Sequence, residues 1–125
     1  MMINKNFLKI GSIFGLLAVA LGAFGAHALE PHLIATGDLD TYEKAVSYQF
    51  YHSLALILVA MLCEVLKNKW VKYSGIAFII GVVFFSGSLY LICFTGITTF
   101  GAVAPVGGTA FIAGWLFLFL ASLRS

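Results

Sequence analysis

The residues in this chain whose types and spacing could do chemistry are histidines, tyrosines and serines set in long apolar stretches. Tyr48 and His52 are four residues apart, and Ser86 and Tyr90 repeat that spacing. On a helix, residues at this spacing share a face, so each pair is predicted to project together. We expect one polar cluster or ligand pocket, near the outer leaflet if the chain lies in a membrane. Its members would be His27, Tyr48, Gln49, His52, Ser86, Ser88 and Tyr90.

Three interpretations of this cluster remain open. It could fix a helical bundle by interhelical hydrogen bonds, or form a pocket for a lipid, a quinone or another small amphipathic ligand. It could also ligate haem or a metal through His27 and His52, but two histidines without a third ligand or a C-x-x-C-H motif are a weak signal. We therefore expect no metal and no cofactor. No order of residues typical of a hydrolase occurs and no H-E-x-x-H motif, so we expect no catalytic residues and no enzyme.

The composition indicates what kind of elements must position these side chains. Hydrophobic residues make up 62% of the 125 residues and charged residues only 10%. Soluble domains are usually about 45–50% apolar and about 25% charged. A net charge of +2 is too small to indicate a nucleic-acid partner. The chain is therefore predicted to be an integral membrane protein, with residues 1–125 forming a single membrane domain.

Charge-free stretches locate the membrane spans. Residues 10–29 and 45–63 each carry no charge and each suffice for one helix of about 20 residues. Residues 73–123 are also uncharged but are too long for one span, and glycine, proline and threonine cluster between residues 95 and 108. We predict an all-α, antiparallel four-helix membrane bundle with helices at about 9–29, 41–66, 73–94 and 106–123.

The distribution of basic residues predicts the orientation. Four spans place both termini on one side of the membrane. That side would carry six of the seven basic residues and the other side only one, Lys44. The positive-inside rule then places both termini in the cytoplasm, in a multi-pass inner-membrane protein. The six basic residues are Lys5, Lys9, Lys67, Lys69, Lys72 and Arg124.

Small residues recur along one face of the first predicted helix. They are Gly11, Gly15, Ala18 and Gly22, at steps of four, three and four residues. Small residues allow close approach of helices in lipid, where apolar burial gives no driving force. We interpret this stripe as a packing surface inside the bundle, with a dimer interface as the alternative.

Four motifs in order resemble a known family. They are GAFGAH at residues 22–27, YEKAVSYQFYH at 42–52, SGSLY at 86–90 and APVGG at 104–108. The set resembles the small membrane family of unknown function that includes bacterial YgdD and YwdK and eukaryotic transmembrane protein 256. The resemblance implies a four-span inner-membrane protein without an established activity, substrate or cofactor. Its motif residues correspond here to His27, Tyr48, His52, Ser86, Tyr90, Pro105 and Gly108.

These observations together favour a non-enzymatic structural, accessory or lipid-interacting membrane component. Its expected partners are membrane lipids, and a membrane-protein partner or a second copy of the chain. The alternative is a small transporter or channel subunit acting as an oligomer. A transporter needs polar groups at several depths of the membrane, whereas the polar side chains here are expected at one end of the spans.

The orientation generates the first testable prediction. A membrane-impermeant thiol reagent added to intact cells should label Gly37→Cys and should not label Asn68→Cys. The parent chain is the control, because it already contains two cysteines. Labelling of Asn68→Cys without lysis would reverse the orientation.

Overall fold

A computed structural model describes residues 3–124, and this part of the chain is helical and contains no strand. Four helices are long and apolar enough to cross a membrane, which confirms the predicted all-α bundle. We call them the first span (Lys5–Ala26), the second span (Leu39–Leu66), the third span (Lys69–Thr95) and the fourth span (Thr98–Ser122). The individual elements are α1 (Lys5–Ala26), α2 (Glu30–Thr36), α3 (Leu39–Leu66), α4 (Lys69–Gly81), a π-helical segment (Val82–Ser86), α5 (Gly87–Thr95), a 3-10 helix (Thr98–Ala102) and α6 (Ala104–Ser122).

Two asparagine caps make the first and third spans start earlier than the sequence predicted. Asn4 Oδ1 accepts the N–H of Phe7 at 3.0 Å, so α1 begins at Lys5 rather than near residue 9. Asn68 Oδ1 accepts the N–H of Trp70 at 3.1 Å, so α4 begins at Lys69 rather than near residue 73. Such caps satisfy amide groups that the first turn leaves unpaired. Lys9 and Lys72, which directly precede the first and third uncharged stretches, therefore belong to the helices.

The first connection contains a short helix that the sequence analysis did not predict. The first span ends at Ala26 rather than near residue 29, and α2 follows, with a proline in its first turn. Proline fits that position because its missing N–H would have no helical partner there. Gly37 ends α2 in the left-handed conformation at φ 76°, which glycine adopts without steric cost.

The first span packs on the second through the predicted stripe of small residues. A Cβ added at Gly11 would lie 2.9 Å from Ile57 Cγ1, and one at Gly15 would lie 3.3 Å from Ser53 Oγ. A Cβ at Gly22 would lie 3.2 Å from Val46 Cγ1. The fourth member, Ala18, is buried. The structure thus places the stripe against the second span of the same chain.

Where the third and fourth spans pack together, a phenylalanine of each span lies against a glycine of the other. Phe78 fills the space over Gly114, and Phe111 fills the space over Gly81. Such pairs bring two backbones close together without leaving a void. Ser74 Oγ donates to the Gly114 carbonyl at 2.7 Å in the same interface.

The closest approach between these spans lies at the π-helical segment. Within this segment the N–H of Gly87 bonds to the carbonyl of Val82, five residues earlier. Gly107 of α6 faces the backbone of Phe85 so closely that an added Cβ would overlap the amide nitrogen and the Cα. Isolated π-helical turns widen a helix by one residue and recur at functional sites. Here the widened turn is the part of the third span that meets Gly107.

Two neighbouring glycines provide a matched test of this contact. Gly107→Ala should destabilise the folded protein by about 1–3 kcal/mol or more, because backbone atoms cannot yield as a side chain does. Gly108→Ala should be neutral or stabilising by up to about 1 kcal/mol, since open space surrounds that position and alanine favours the helix. The measurement is reversible unfolding in detergent. Equal stability of the two variants would contradict the proposed contact.

Candidate functional site

The His52 side chain forms hydrogen bonds at both of its ring nitrogens. Trp115 Nε1 lies 3.1 Å from His52 Nε2, and His52 Nδ1 lies 2.8 Å from the Tyr48 carbonyl. An indole N–H can only donate, so Nε2 must accept from Trp115. The remaining proton then sits on Nδ1 and is donated to the Tyr48 carbonyl. Both ring nitrogens of a neutral imidazole are therefore used.

Aromatic rings surround this imidazole. The Phe111 ring stacks on it with centroids 3.7 Å apart and an interplanar angle of 12°. The centroids of the Phe78 and Trp115 rings lie 5.3 Å and 5.9 Å from that of the imidazole. These are the phenylalanines that fill the glycine gaps between the third and fourth spans. The helix packing therefore also builds the walls around His52, which is 5% exposed.

Gln49 joins three spans one turn before His52. Tyr90 Oη donates to Gln49 Oε1 at 2.7 Å, and Gln49 Nε2 donates to the Phe14 carbonyl at 2.8 Å. Tyr90 lies in the third span and Phe14 in the first. Gln49 is 4% exposed, so these bonds replace water for a buried amide.

The other predicted residues differ in how far they join the cluster. Ser86 Oγ donates to the Ala45 carbonyl at 2.8 Å and so links the third span to the second. Ser88 Oγ instead donates to the Phe85 carbonyl of its own helix. The Tyr48 ring stacks on Phe85 with centroids 4.8 Å apart and is 40% exposed. Tyr48 thus contributes its ring and its carbonyl.

The structure does not bring His27 close to His52. His27 is exposed at the end of α1, two residues beyond Gly25, which packs against the Tyr42 ring. Tyr42 and His52 are separated by about 15 Å along α3. The His27 backbone N–H bonds to the Phe24 carbonyl at 3.3 Å, but among residues 3–124 no hydrogen bond or ring contact involves the His27 side chain. A haem or metal held between the two histidines therefore has no geometric support.

Several residues that contact His52 or form hydrogen bonds between the spans were not predicted from the sequence. Trp115 and Phe111 contact His52, Tyr42 Oη donates to the Leu21 carbonyl, and Ser74 bonds to Gly114. One signal could have found Trp115. Tryptophan is enriched at membrane interfaces, and Trp115 lies within the apolar run of α6, which indicates a buried partner for its N–H.

The polar side chains of this arrangement are occupied by hydrogen bonds within the protein. Every buried side-chain nitrogen and oxygen in residues 3–124 has a hydrogen-bond partner. In that same part of the chain, no three side chains of His, Cys, Asp or Glu lie close enough to hold a metal ion together. Binding a cofactor at His52 Nε2 would first require breaking the bond to Trp115.

Fold and site define a polytopic helical membrane protein with a hydrogen-bonded polar interior. A family model described as "Protein of unknown function (DUF423)" matches residues 21–108. The chain belongs to this family, whose relatives are called UPF0382 membrane proteins. This confirms the resemblance found in the sequence.

The relatives match almost end to end. A UPF0382 membrane protein of Staphylococcus haemolyticus is 42% identical over 96% of this chain and 97% of its own. YwdK of Bacillus subtilis is 42% identical over 96% of this chain and 98% of its own. The inner membrane protein YgdD of Escherichia coli is 33% identical over 98% of this chain and 93% of its own. No solved structure matches the chain.

The Gln49 junction can be tested by removing one hydroxyl. Tyr90→Phe should destabilise the protein by about 0.6 kcal/mol, the average measured for hydrogen bonds between membrane helices, and by no more than about 1.7 kcal/mol, their maximum. Tyr51→Phe is the control, because the Tyr51 ring is 57% exposed and should lose almost nothing. Unfolding in detergent provides the readout. A Tyr90→Phe variant as stable as Tyr51→Phe would show that the bond to Gln49 contributes no stability.

Proposed function

We propose that this chain is a non-enzymatic inner-membrane protein that acts as a structural, accessory or lipid-interacting component. The observation that carries the proposal is the saturation of its polar interior. His52 uses both ring nitrogens, Gln49 uses its oxygen and its nitrogen, and Tyr90 and Ser86 each donate to the second span. Groups paired in this way stabilise a bundle, and they leave no polar atom directed at a substrate.

The proposed orientation places both termini in the cytoplasm. It is supported by the bias of basic residues toward the side that carries the termini. The proposed location in the inner membrane is supported by the name of YgdD, an inner membrane protein. The orientation is tested by the labelling experiment at Gly37 and Asn68.

The proposed partners are membrane lipids, and a second copy of the chain or another membrane protein. Large apolar side chains on the flanks of the spans are exposed, among them Leu16, Val65 and Ile112. Acyl chains cover such surfaces in a membrane, and so do neighbouring helices. A transporter or channel subunit, the alternative function, is less well supported. It needs polar groups free to replace the hydration of a solute, and those of the interior are bonded to backbone carbonyls or to one another.

A pair of histidine variants tests the structural role. His52→Ala should cost about 2–4 kcal/mol, because it removes a packed ring, the bond to the Tyr48 carbonyl within α3, and the bond to Trp115 of the fourth span, worth about 0.6 kcal/mol on average. His27→Ala is the matched control and should leave the unfolding midpoint unchanged, since His27 is exposed. Unfolding in detergent is combined with native mass spectrometry and visible absorbance of the same samples.

The outcomes of this experiment separate the candidate roles. Loss of stability confined to His52→Ala supports the structural role. A stable His52→Ala protein that no longer retains a lipid or quinone bound by the parent would establish a ligand pocket instead. A Soret band in the purified parent would indicate haem and contradict the proposal.

A further inference from the structure

An open cleft of about 1010 Å³ lies at the end of the bundle where the second span ends and the third begins. The start of the first span forms its other wall. Pockets that hold small ligands usually measure about 300–1,000 Å³. Four lysines line the cleft against one acid: Lys5, Lys67, Lys69 and Lys72 against Glu64. It lies apart from the polar cluster, whose groups are buried between the spans.

Two of these lysines occupy positions where a positive charge is locally unfavourable. Lys5 and Lys69 are the first residues of α1 and α4, and neither helix carries an acid in its first turn. The amino end of a helix carries a partial positive charge of about half an elementary charge. Both amino ends and both lysines therefore add positive potential to the same cleft, although the carboxyl end of α3 opposes it.

The backbone conformation of Lys67 is unfavourable for a residue with a side chain. Lys67 ends α3 in the left-handed conformation, at φ 46° and ψ 38°. Glycine usually occupies this position, because a side chain there is strained. Within residues 3–124, Lys67 alone among the non-glycine residues has a positive φ. The chain thus keeps a charged side chain where glycine would fold more easily.

Membrane topology accounts for the sign of these charges but not for their placement. The positive-inside rule favours lysine anywhere in the loops and span ends on this side. Lys9 is an example, since it lies near the same end without lining the cleft. Lysines at helix starts and in a strained cap add charge at a cost to the local fold. Such departures from local preference are typical of functional positions.

We propose that this cleft binds a phosphate-bearing anion, the chemistry shared by the headgroup of an anionic phospholipid and by soluble phosphate. The inference rests on the proposed lipid-interacting function, for which it identifies the contact site. Lys69 Nζ lies 5.2 Å from the centre of the Trp70 ring. Tryptophan marks the interface where headgroups lie, so a lipid phosphate is available at this depth. Basic pockets between spans on the cytoplasmic side are known to hold such headgroups.

The neighbouring asparagines keep the cleft in shape. Asn68 Nδ2 lies 3.0–3.2 Å from the carbonyl oxygens of Leu66, Ala121 and Arg124, which share its two hydrogens. These bonds tie the turn between α3 and α4 to the end of α6. Asn4 and Asn68 also cap the two helices with their side-chain oxygens. The lysine ammonium groups are then left as the principal contacts for the anion.

The test uses the whole protein in nanodiscs of phosphatidylcholine, with or without phosphatidylglycerol. Native mass spectrometry reports which lipid is retained, and thermal unfolding reports stability. The parent should retain phosphatidylglycerol in preference to phosphatidylcholine. Lys67→Gly should weaken that preference about fivefold, the equivalent of one lysine near an anionic surface. Its unfolding midpoint in phosphatidylcholine should stay equal or rise, because glycine relieves the strained cap.

A second variant and a matched control make the result decisive. The double variant Lys69→Gln, Lys72→Gln should lose most of the preference while staying folded, because both side chains are exposed. Lys9→Gln should retain it. If Lys9→Gln weakens the preference as much as Lys67→Gly does, the attraction is diffuse and the cleft is not a site. Unchanged preference in Lys67→Gly and in the double variant overturns the proposal.

Inorganic phosphate added to phosphatidylcholine nanodiscs distinguishes the two sources. If it raises the midpoint of the parent but not of Lys67→Gly, the cleft takes a soluble phosphate-bearing anion. If only phosphatidylglycerol does so, the ligand is the lipid headgroup. If neither does, the proposal fails. That failure is distinct from failure of the proposed function, which would show as bound quinone or haem or as an unaltered stability of His52→Ala.

Discussion

The close approach of the third and fourth spans is the constraint on which the polar interior depends. Gly107 admits the backbone of Phe85, Gly114 admits Phe78 and Gly81 admits Phe111. The rings of the same two phenylalanines, Phe78 and Phe111, then lie against His52. Trp115, one turn after Phe111, is thereby brought within 3.1 Å of His52 Nε2. Packing of small against large residues thus fixes the partner of the one buried histidine of the cluster.

Most of the polar contacts between spans use a backbone carbonyl as the acceptor. Gln49 bonds to Phe14, Ser86 to Ala45 and Ser74 to Gly114. A carbonyl already bonded within its helix retains a second lone pair, so one polar side chain suffices for each link. Each bond adds only about 0.6 kcal/mol on average. Because a donor reaches its carbonyl only in one register, the bonds specify how the spans align as much as they stabilise them.

The sequence predicted the features that depend on average polarity or regular spacing. Uncharged stretches located four spans, and the spacing of Tyr48 and His52 placed both on one face. It could not predict the π-helical segment, because the backbone contact of this widened turn is with Gly107 on another span. It wrongly placed His27 in the cluster, because the depth of this residue was inferred only from its position at the end of a helix. Trp115 was missed because its partner lies on another span, 63 residues away in the chain.

The interior and the cleft use polar residues in opposite ways. Inside the bundle, each polar group is neutral and bonded, and local preferences agree with the packing. At the cleft, Lys5, Lys67 and Lys69 stand where a helix dipole or a strained cap disfavours them. An interior saturated by its own hydrogen bonds has little free energy to gain from a ligand, whereas clustered positive charge gains from any bound anion. Recognition by this protein is therefore expected at the membrane interface, with the buried cluster holding the spans that shape it.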